Sequence, residues 1–325
     1  MKATVVIPNY NGKAFMEDCL TALAAQTVKD FEVLVVDNGS TDGSERGLEV
    51  WYPGVKVIPL EKNYGFDRAV NEGIRQSDSE YVILLNNDTI PFPDYVEKLI
   101  DAIEADERIF SVSPKMIQAC HRELLDDAGD SYCALGWAFQ RGVGQPVSRY
   151  EKSGRIFSSC AGAAIYRRAV FDEIGLFDEI HFAYLEDIDV GYRALIYGYE
   201  NRYEPEAKVY HVGSGTSGSR YNSFKVKLSA RNSVYLNYKN MPLFFLILNF
   251  LPLLAGWLIK FRFFVNMGFG TEYKEGLREG VRTRKQCRKV PFRWKHLGNY
   301  LYIEWRLIAN TFIYAAEFLR RRLAK

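Results

Sequence analysis

The chain predicts an α/β fold: a mixed, mostly parallel sheet flanked by helices, followed by a C-terminal helical extension that associates with a membrane. Three observations carry this expectation. Apolar strands and amphipathic helices alternate through the first half, the pattern of βαβ units. Residues 81–86 open with an unbroken apolar run (Y-V-I-L-L) that ends in Asn86-Asn87-Asp88, as a strand buried on both faces does. Beyond residue 240 the composition turns uncharged and then basic.

In chain order, residues 3–8 read as a strand, 15–26 as a helix and 31–37 (F-E-V-L-V-V-D) as a second strand. A helix is expected over 42–51, a strand over 55–60, a helix over 65–77 and the buried strand over 81–86. Right-handed crossovers place all these strand C-termini on one edge. Periodicity weakens over 109–150, where two strands and a loop-rich stretch near 129–144 are expected. The pattern sharpens at S-S-C-A-G-A-A-I-Y, a strand. It continues with a helix over 186–198, a short strand over 208–211 and a helix over 221–239. Residues 242–259 carry no charge over 18 residues, the lower limit for crossing a bilayer at about 17–25. Two prolines and Asn249 interrupt them, so a single span, an interfacial helix and a buried helix all stay open. Residues 300–323 alternate at helical spacing and end in Arg320-Arg321-Arg322, which suits a helix on an anionic surface. The expected division is 1–240 and 241–325.

The net charge of +2 hides an asymmetry. Residues 260–325 carry 16 Lys/Arg against 5 Asp/Glu, leaving 26 against 35 for the rest. A basic tail of this kind points to a polyanion. Aromatic residues interleave with its basic ones, as in nucleic-acid platforms, but the adjoining uncharged run favours a membrane surface over nucleic acid. Hydrophobic content of 48% allows a large core. The five cysteines are odd in number and form no C-x-x-C pair, so neither a disulfide framework nor a zinc site is expected. A reducing compartment and no signal peptide are expected.

Each early strand ends in a polar cluster: Pro8-Asn9-Tyr10-Asn11-Gly12, then Asp37-Asn38-Gly39-Ser40, then Asn63-Tyr64-Gly65-Phe66-Asp67-Arg68, then Asn86-Asn87-Asp88. Four such clusters on one edge describe a nucleotide pocket, because ligands of open α/β sheets bind beyond the strand C-termini. Asp37 can accept from a base or ribose hydroxyl, and Arg68 can meet a phosphate beside a helix N-terminus. G-x-G-x-x-G after the first strand, the P-loop, G-x-S-x-G and H-E-x-x-H are all absent. Dinucleotide, P-loop, serine-hydrolase and zinc-hydrolase readings therefore fall away. Glu186, Asp187 and Asp189 begin a helix, where acids also suit the helix dipole.

The stretches V-V-I-P-N-Y-N-G, V-V-D-N-G-S-T-D-G-S, N-Y-G-F-D-R-A-V-N-E-G-I, L-L-N-N-D-T and L-F-D-E-I-H-F-A-Y-L-E-D-I-D-V resemble the inverting family 2 glycosyltransferases. These have the Rossmann-like GT-A fold, and the nearest flavour is that of bacterial rhamnosyltransferases of surface-polysaccharide assembly. The resemblance covers about residues 2–240. It implies transfer of a sugar, rhamnose in that subgroup, from a dTDP- or UDP-linked donor. The implied acceptor is a hydroxyl of a lipid-linked or surface glycan, at the cytoplasmic membrane face, by a peripheral or single-span protein that can self-associate. Asn86-Asn87-Asp88 stands where the family has its metal-binding D-x-D, with Asn86 at the first acidic position. The resemblance thus implies Asp88 and His211 as ligands of Mg²⁺ or Mn²⁺, and Asp187, with Glu186 beside it, as general base. It implies donor binding by Pro8, Tyr10, Asn11, Asp37, Asn38, Ser40, Asn63, Phe66, Arg68, Asn86 and Asn87. Two alternatives stand. One is a non-catalytic nucleotide-sugar-binding protein. The other is a processive synthase, disfavoured because Val290 stands where Q-x-x-R-W needs Gln ahead of Arg293-Trp294.

Overall fold

The computed structural model describes residues 1–213 and 221–323, with side chains to residue 320. Ser214 and Gly215 of the H-V-G-S-G stretch, and the side chains of Arg321 and Arg322, lie outside the described residues. The first half runs β1 (Ala3–Asn9), α1 (Lys13–Ala24), β2 (Phe31–Asp37), α2 (Leu48–Trp51), β3 (Val55–Pro59), α3 (Phe66–Gln76), β4 (Tyr81–Leu85), β5 (Thr89–Pro91) and α4 (Tyr95–Glu104). The middle runs β6 (Ile109–Gln118), β7 (Leu125–Asp127), β8 (Asp130–Tyr132), β9 (Ala138–Gln140), β10 (Gly154–Ile156) and β11 (Ala163–Arg167). Then come α5 (Val170–Ile174), α6 (Glu186–Tyr197), β12 (Glu200–His211) and α7 (Ser223–Asn240). The last part holds α8 (Leu243–Leu248), α9 (Phe250–Asn266), α10 (Gly270–Thr283) and α11 (Leu297–Leu323).

The main sheet has the order β10-β12-β6-β11-β4-β1-β2-β3, with β5 added to β12 and β7 to β6. Strands β4, β1, β2 and β3 are mutually parallel, and β12 runs parallel to β6. Strand β11 is antiparallel to both β4 and β6, so β4, β6 and β12 all end on the same edge. Alternation explains the apolar run of β4. Tyr81, Ile83 and Leu85 join the core under α1 and α4, while Val82 and Leu84 join the core under α3, α5 and α6.

Several expectations are corrected. The helix expected over 42–51 shrinks to the four residues of α2. Gly43 and Gly47 take left-handed backbone there, and Asp42 accepts the N–H groups of Lys13 and Ser44, which builds a turn. The short strand over 208–211 is the end of the 12-residue β12, whose register shifts between Glu204 and Lys208 accommodate Pro205. Helices α4 and α10 were not expected. The uncharged run 242–259 is two helices, α8 and α9, meeting at Asn249. No helix among the described residues is long and apolar enough to cross a membrane. Residues on both sides of position 240 share one core cluster, in which Ile188, Tyr192 and Leu236 pack with Phe245, Tyr300 and Ile303.

Asp189 fixes the N-terminal end of α6. Its carboxylate is fully buried and accepts from Arg193 Nε (2.9 Å), Lys239 Nζ (2.8 Å) and Asn240 Nδ2 (2.7 Å). Burial alone would raise its pKa, but the Lys239 and Arg193 charges hold it well below the usual carboxylate range. Lys239 also reaches Asp178 at 2.8 Å, joining α7 to the segment before α6. Replacing Asp189 strips the buried Arg193 of its carboxylate partner and leaves Lys239 with Asp178 alone. Asp189→Ala should cost about 3–5 kcal/mol in denaturant melts at pH 7. The native pKa is depressed, so the contribution of Asp189 is present at neutral pH and is lost only as pH falls below the ordinary carboxylate range. A loss under 1 kcal/mol would contradict the assignment.

Candidate active site

The expected clusters converge on one sheet edge, and much of their hydrogen-bonding capacity is spent on one another. Asn9 Nδ2 donates to Asp37 Oδ1 (2.9 Å) and Ser44 Oγ (2.8 Å), and Asn87 Nδ2 donates to Asn9 Oδ1 (2.8 Å). Asn38 Nδ2 donates to Asn63 Oδ1 (3.1 Å) and to the Gly65 carbonyl (3.0 Å). Ser40 Oγ accepts from Asn11 N–H (2.9 Å), and Ser40 N–H donates to Asp37 Oδ2 (3.1 Å). Asp37, Asn38 and Asn87 are buried, so they set loop shape from below. Tyr10 and Asn11 are exposed at the mouth, and Pro8, Asn63, Phe66 and Asn86 are half-buried. Arg68 is turned to Glu179 at 3.2 Å, which occupies its guanidinium.

The third cluster is stitched to the loop that precedes α6. Phe66 N–H donates to the Phe182 carbonyl (2.7 Å), and a Cβ on Gly65 would stand 2.5 Å from that oxygen. Phe182, Tyr184 and Leu185 all hold positive φ (66°, 72° and 70°), a conformation that is strained for side-chain-bearing residues. Asn232 on α7 clamps this segment, its Nδ2 donating to the carbonyls of His181 (3.0 Å), Ala183 (2.9 Å) and Tyr184 (2.8 Å). Arg231 adds bonds to Ile180 and His181. The strained turn delivers Glu186 and Asp187 to the sheet edge.

Two carboxylates grip His211. Strand β12 places His211 opposite Thr89 of β5 and Gln118 of β6, and Val212 N–H donates to the Asp88 carbonyl (3.0 Å). The ring then reaches Asp88 through Nε2 (3.4 Å) and Asp126 through Nδ1 (2.7 Å). Burial opposes charge on the ring, but the bonds to Asp126 and Asp88 prevail and lift its pKa to about 10. The structure thus brings Asp88 and His211 together around a site built for positive charge.

A second acidic group lies beside the first. Asp187 is pushed up to about 6 by burial, against the pull of the Ile188 N–H, the Asp130 carboxyl and the Ala161 N–H. Asp130 hydrogen-bonds Asp187 and is raised well above its usual range by burial and by Asp127. Asp127 is raised to about 7, again by burial first and Asp126 second. Glu186 and Asp67 are raised by burial and by each other's neighbourhood, Glu186 facing Asp187 and Asp67 facing Glu186. Asp189, by contrast, is ionised and paired, which leaves Glu186 and Asp187 as the two raised acids of the three. Loop 158–162 joins the two groups. Gly162 accepts from Asn86 N–H (2.8 Å), and Ser158 Oγ donates to the Asp187 carbonyl (2.5 Å).

Sequence reasoning missed Asp126, Asp127 and Asp130, and gave Asp67 no role. The signal was present as L-L-D-D-A-G-D, three acids in five residues beside apolar ones. Strand β7 alternates, so Asp126 faces His211 while Asp127 is fully buried with neither carboxyl oxygen partnered. Asp127, Asp130 and Cys160 bring ligand atoms within 4.8 Å of one another. Burial keeps the Cys160 thiol protonated and raises both carboxyls, a poor donor set for Mg²⁺ or Mn²⁺, which take ionised oxygens. Asp88, with His211 oriented by Asp126, is the better match for a borderline cation such as Mn²⁺, which on binding would displace the His211 Nε2 proton.

Comparisons with known proteins agree with this fold. A family model described as glycosyl transferase family 2 matches residues 4–175. The chain is 29% identical over 237 residues to the N-acetylglucosaminyl-diphospho-decaprenol L-rhamnosyltransferase of Mycobacterium tuberculosis, covering 66% of this chain and 77% of that one. Its fold is similar to GalNAc-T7 solved with UDP, GalNAc and Mn²⁺ (TM-score 0.60, 18% identity, 74% of this chain and 48% of that one). It is also similar to the mannosyltransferase PcManGT of Pyrobaculum calidifontis with GDP-Man and Mn²⁺ (TM-score 0.54, 16% identity, 87% of this chain and 75% of that one). The chain spans about half the length of the first of these structures. The shared fold is GT-A.

In metal-free protein, the His211 ring should stay an imidazolium through neutral pH and titrate near 10 by NMR. Asp126→Asn removes the strongest support for the charge and should bring that midpoint down. A wild-type midpoint near 6.5, the ordinary value for His, would contradict the geometry.

Proposed function

The chain belongs to glycosyl transferase family 2 and is a glycosyltransferase, and we propose that it transfers a sugar with inversion from a dTDP- or UDP-linked donor to a hydroxyl of a lipid-linked glycan. The observation that carries the reading is the convergence of two unlike groups on one edge: the Asp88–His211–Asp126 set and the Asp187–Asp130 pair. The donor reading leans on the UDP and GDP-Man bound by the structural neighbours, and the acceptor reading on the activity named for the mycobacterial relative. The same reading keeps the protein peripheral at the cytoplasmic membrane face, with self-association allowed.

In this reading Asp187 removes the acceptor proton. The acceptor oxygen attacks the anomeric carbon, the carbon–oxygen bond to the diphosphate breaks, and the nucleoside diphosphate leaves with the bonding pair. The proton ends on Asp187, so no covalent enzyme intermediate is formed. Asp130 donates to Asp187 and favours its ionised form. Asp88 and His211 would hold the divalent ion, whose chemistry is to neutralise charge on the departing diphosphate. Tyr10, Asn11, Ser40 and Asn63 would line the nucleoside side, above the buried Asp37.

A donor screen by thermal shift with Mn²⁺ or Mg²⁺ tests the donor. One nucleotide sugar should stabilise the fold selectively, and the shift should vanish in Asp88→Ala. Uniform stabilisation by every nucleotide would argue against a dedicated donor site. Asp187→Asn should lower kcat by about 10²–10⁴-fold with the melting temperature retained, the range for loss of a general base. Wild-type turnover in that variant would remove Asp187 from the mechanism. The base must be ionised, so kcat/KM should fall as pH drops through about 6. Asp130→Ala removes a donor to the Asp187 carboxylate. It should therefore move that acid limb to higher pH, and an unmoved limb would dismiss the pair.

A further inference from the structure

Exposed large apolar side chains concentrate on α8, α9 and α11. On α11, Leu301, Trp305, Ile308, Phe312 and Leu319 are exposed and stand at i, i+4, i+7, i+11 and i+18, which is one stripe of a helix. Trp305 is 61% exposed and Phe312 72%. The opposite side, Tyr300, Ile303 and Leu307, is buried in the shared core. On α8 and α9 the most exposed are Leu243, Ile247, Leu248, Leu251 and Leu258, with Leu251 at 72%, while Leu253, Gly256 and Phe264 face inward.

Both helices rest on the same short loop, and so present their outer faces together. Trp137 Nε1 donates to the Gly256 carbonyl (3.1 Å), and a Cβ on Gly256 would stand 1.9 Å from the Leu135 oxygen. From α11, Asn310 Nδ2 donates to the Tyr132 carbonyl (2.8 Å) and the Leu307 carbonyl accepts from Ala134 N–H (3.1 Å). Phe245 stacks on Tyr300 with centroids 5.5 Å apart, and Asn249 Nδ2 donates to Glu304 (2.7 Å).

Charge identifies the occupant. Residues 242–271 contain no Asp or Glu, and residues 280–303 contain none either but carry seven Lys/Arg. The basic segment borders the apolar face, because its Phe292 packs on Phe244 of α8 (5.5 Å) and on Trp294 (5.2 Å). Arg288, Lys289, Arg293 and Lys295 there are all exposed. A second copy docked on this face by a two-fold axis would bring two basic rims together. A surface of anionic lipid matches both features at once.

We propose that α8, α9 and α11 form one surface that docks on an anionic bilayer, lying in the headgroup–acyl boundary of a single leaflet with the basic 280–303 segment on the headgroups. The seat of this face, residues 133–137, continues directly from β8, whose Asp130 hydrogen-bonds Asp187. A hydroxyl carried on a membrane lipid would approach the candidate base from this side. That last point rests on the lipid-linked acceptor proposed above; the docking itself does not.

Flotation of the full chain tests it without any sugar, so its outcome stands apart from that of the donor screen. The probes are vesicles of phosphatidylcholine alone and of phosphatidylcholine with about one-third phosphatidylglycerol, enough for a strong negative surface potential. The protein should float with the anionic vesicles, float at least about tenfold less with the neutral ones, and be released by high salt. The Leu251→Glu, Trp305→Glu, Phe312→Glu triple variant should lose at least about tenfold in binding with its melting temperature unchanged, since all three side chains are exposed. Arg288→Glu with Lys289→Glu should weaken binding to anionic vesicles alone. Should the triple variant fail to fold, quenching of wild-type tryptophan fluorescence by acyl-brominated lipid reads insertion directly. The proposal is overturned if the wild type stays unbound with both vesicles, if the triple variant floats like the wild type, or if bromolipid leaves the fluorescence unchanged. It is equally overturned if sedimentation shows a lipid-free dimer that the triple variant dissolves and vesicles do not compete with.

Discussion

The site depends on one buried carboxylate that takes no part in its chemistry. Asp189 gathers Arg193 from its own helix with Lys239 and Asn240 from α7, and Lys239 passes the link on to Asp178. An ion pair in this setting is weak evidence of net stability, since desolvation offsets much of the attraction. Its effect here is positional. It locks α6 against α7, and α7 carries the Asn232 and Arg231 side chains that hold residues 180–184 in their strained turn. Three left-handed residues other than glycine persist only because that clamp over-determines them. The turn sets Asp187 against loop 158–162 and Asp130. Three neighbouring acids thus have three fates set by surroundings: Asp189 ionised and structural, Asp187 poised near neutrality, Glu186 buried and raised.

Register does the comparable work on the other side. A strand of twelve residues with a bulge before its last third ends with His211 opposite Thr89 and Gln118. Shifting it by one residue would turn His211 to the other face and empty the gap between Asp88 and Asp126. Strand β7 supplies Asp126 and the turn before β5 supplies Asp88, and each short strand pairs with one that already belongs to the sheet.

What the sequence made legible was whatever repeats with a period. The strand ends were readable because an apolar run stops at a polar cluster, and all four clusters lie on the edge that the crossovers require. The long amphipathic helices and the acids opening α6 were readable too. Asp126, Asp127 and Asp130 were not, because β7 and β8 are three residues each and too short to alternate visibly. Pro205 hid the first half of β12, and Gly43 with Gly47 turned an expected helix into a loop. Asp187's partner was invisible for a further reason. Asp130 lies 57 residues earlier, and only the bridge between Asp130 and Ser158 brings it beside loop 158–162. Composition marked residues 242–259 as apolar, but it could not reveal that α8 and α9 break at Asn249 and bury one side only.

The amide at position 86 becomes intelligible in this setting. Asn86 lies against Gly162, and Gly162 against Cys160, at the border of the Asp127–Asp130–Asp187 group. A carboxylate at 86 would bring one more negative charge to a neighbourhood where burial and mutual repulsion already push carboxyl pKa values up. That charge would disfavour ionisation of the neighbouring carboxyls further. The amide avoids this. A second carboxylate, Asp126, stands on the far side of the His211 ring from Asp88. In the proposed reading the Asp88–His211–Asp126 set would hold positive charge while Asp187 exchanges a proton.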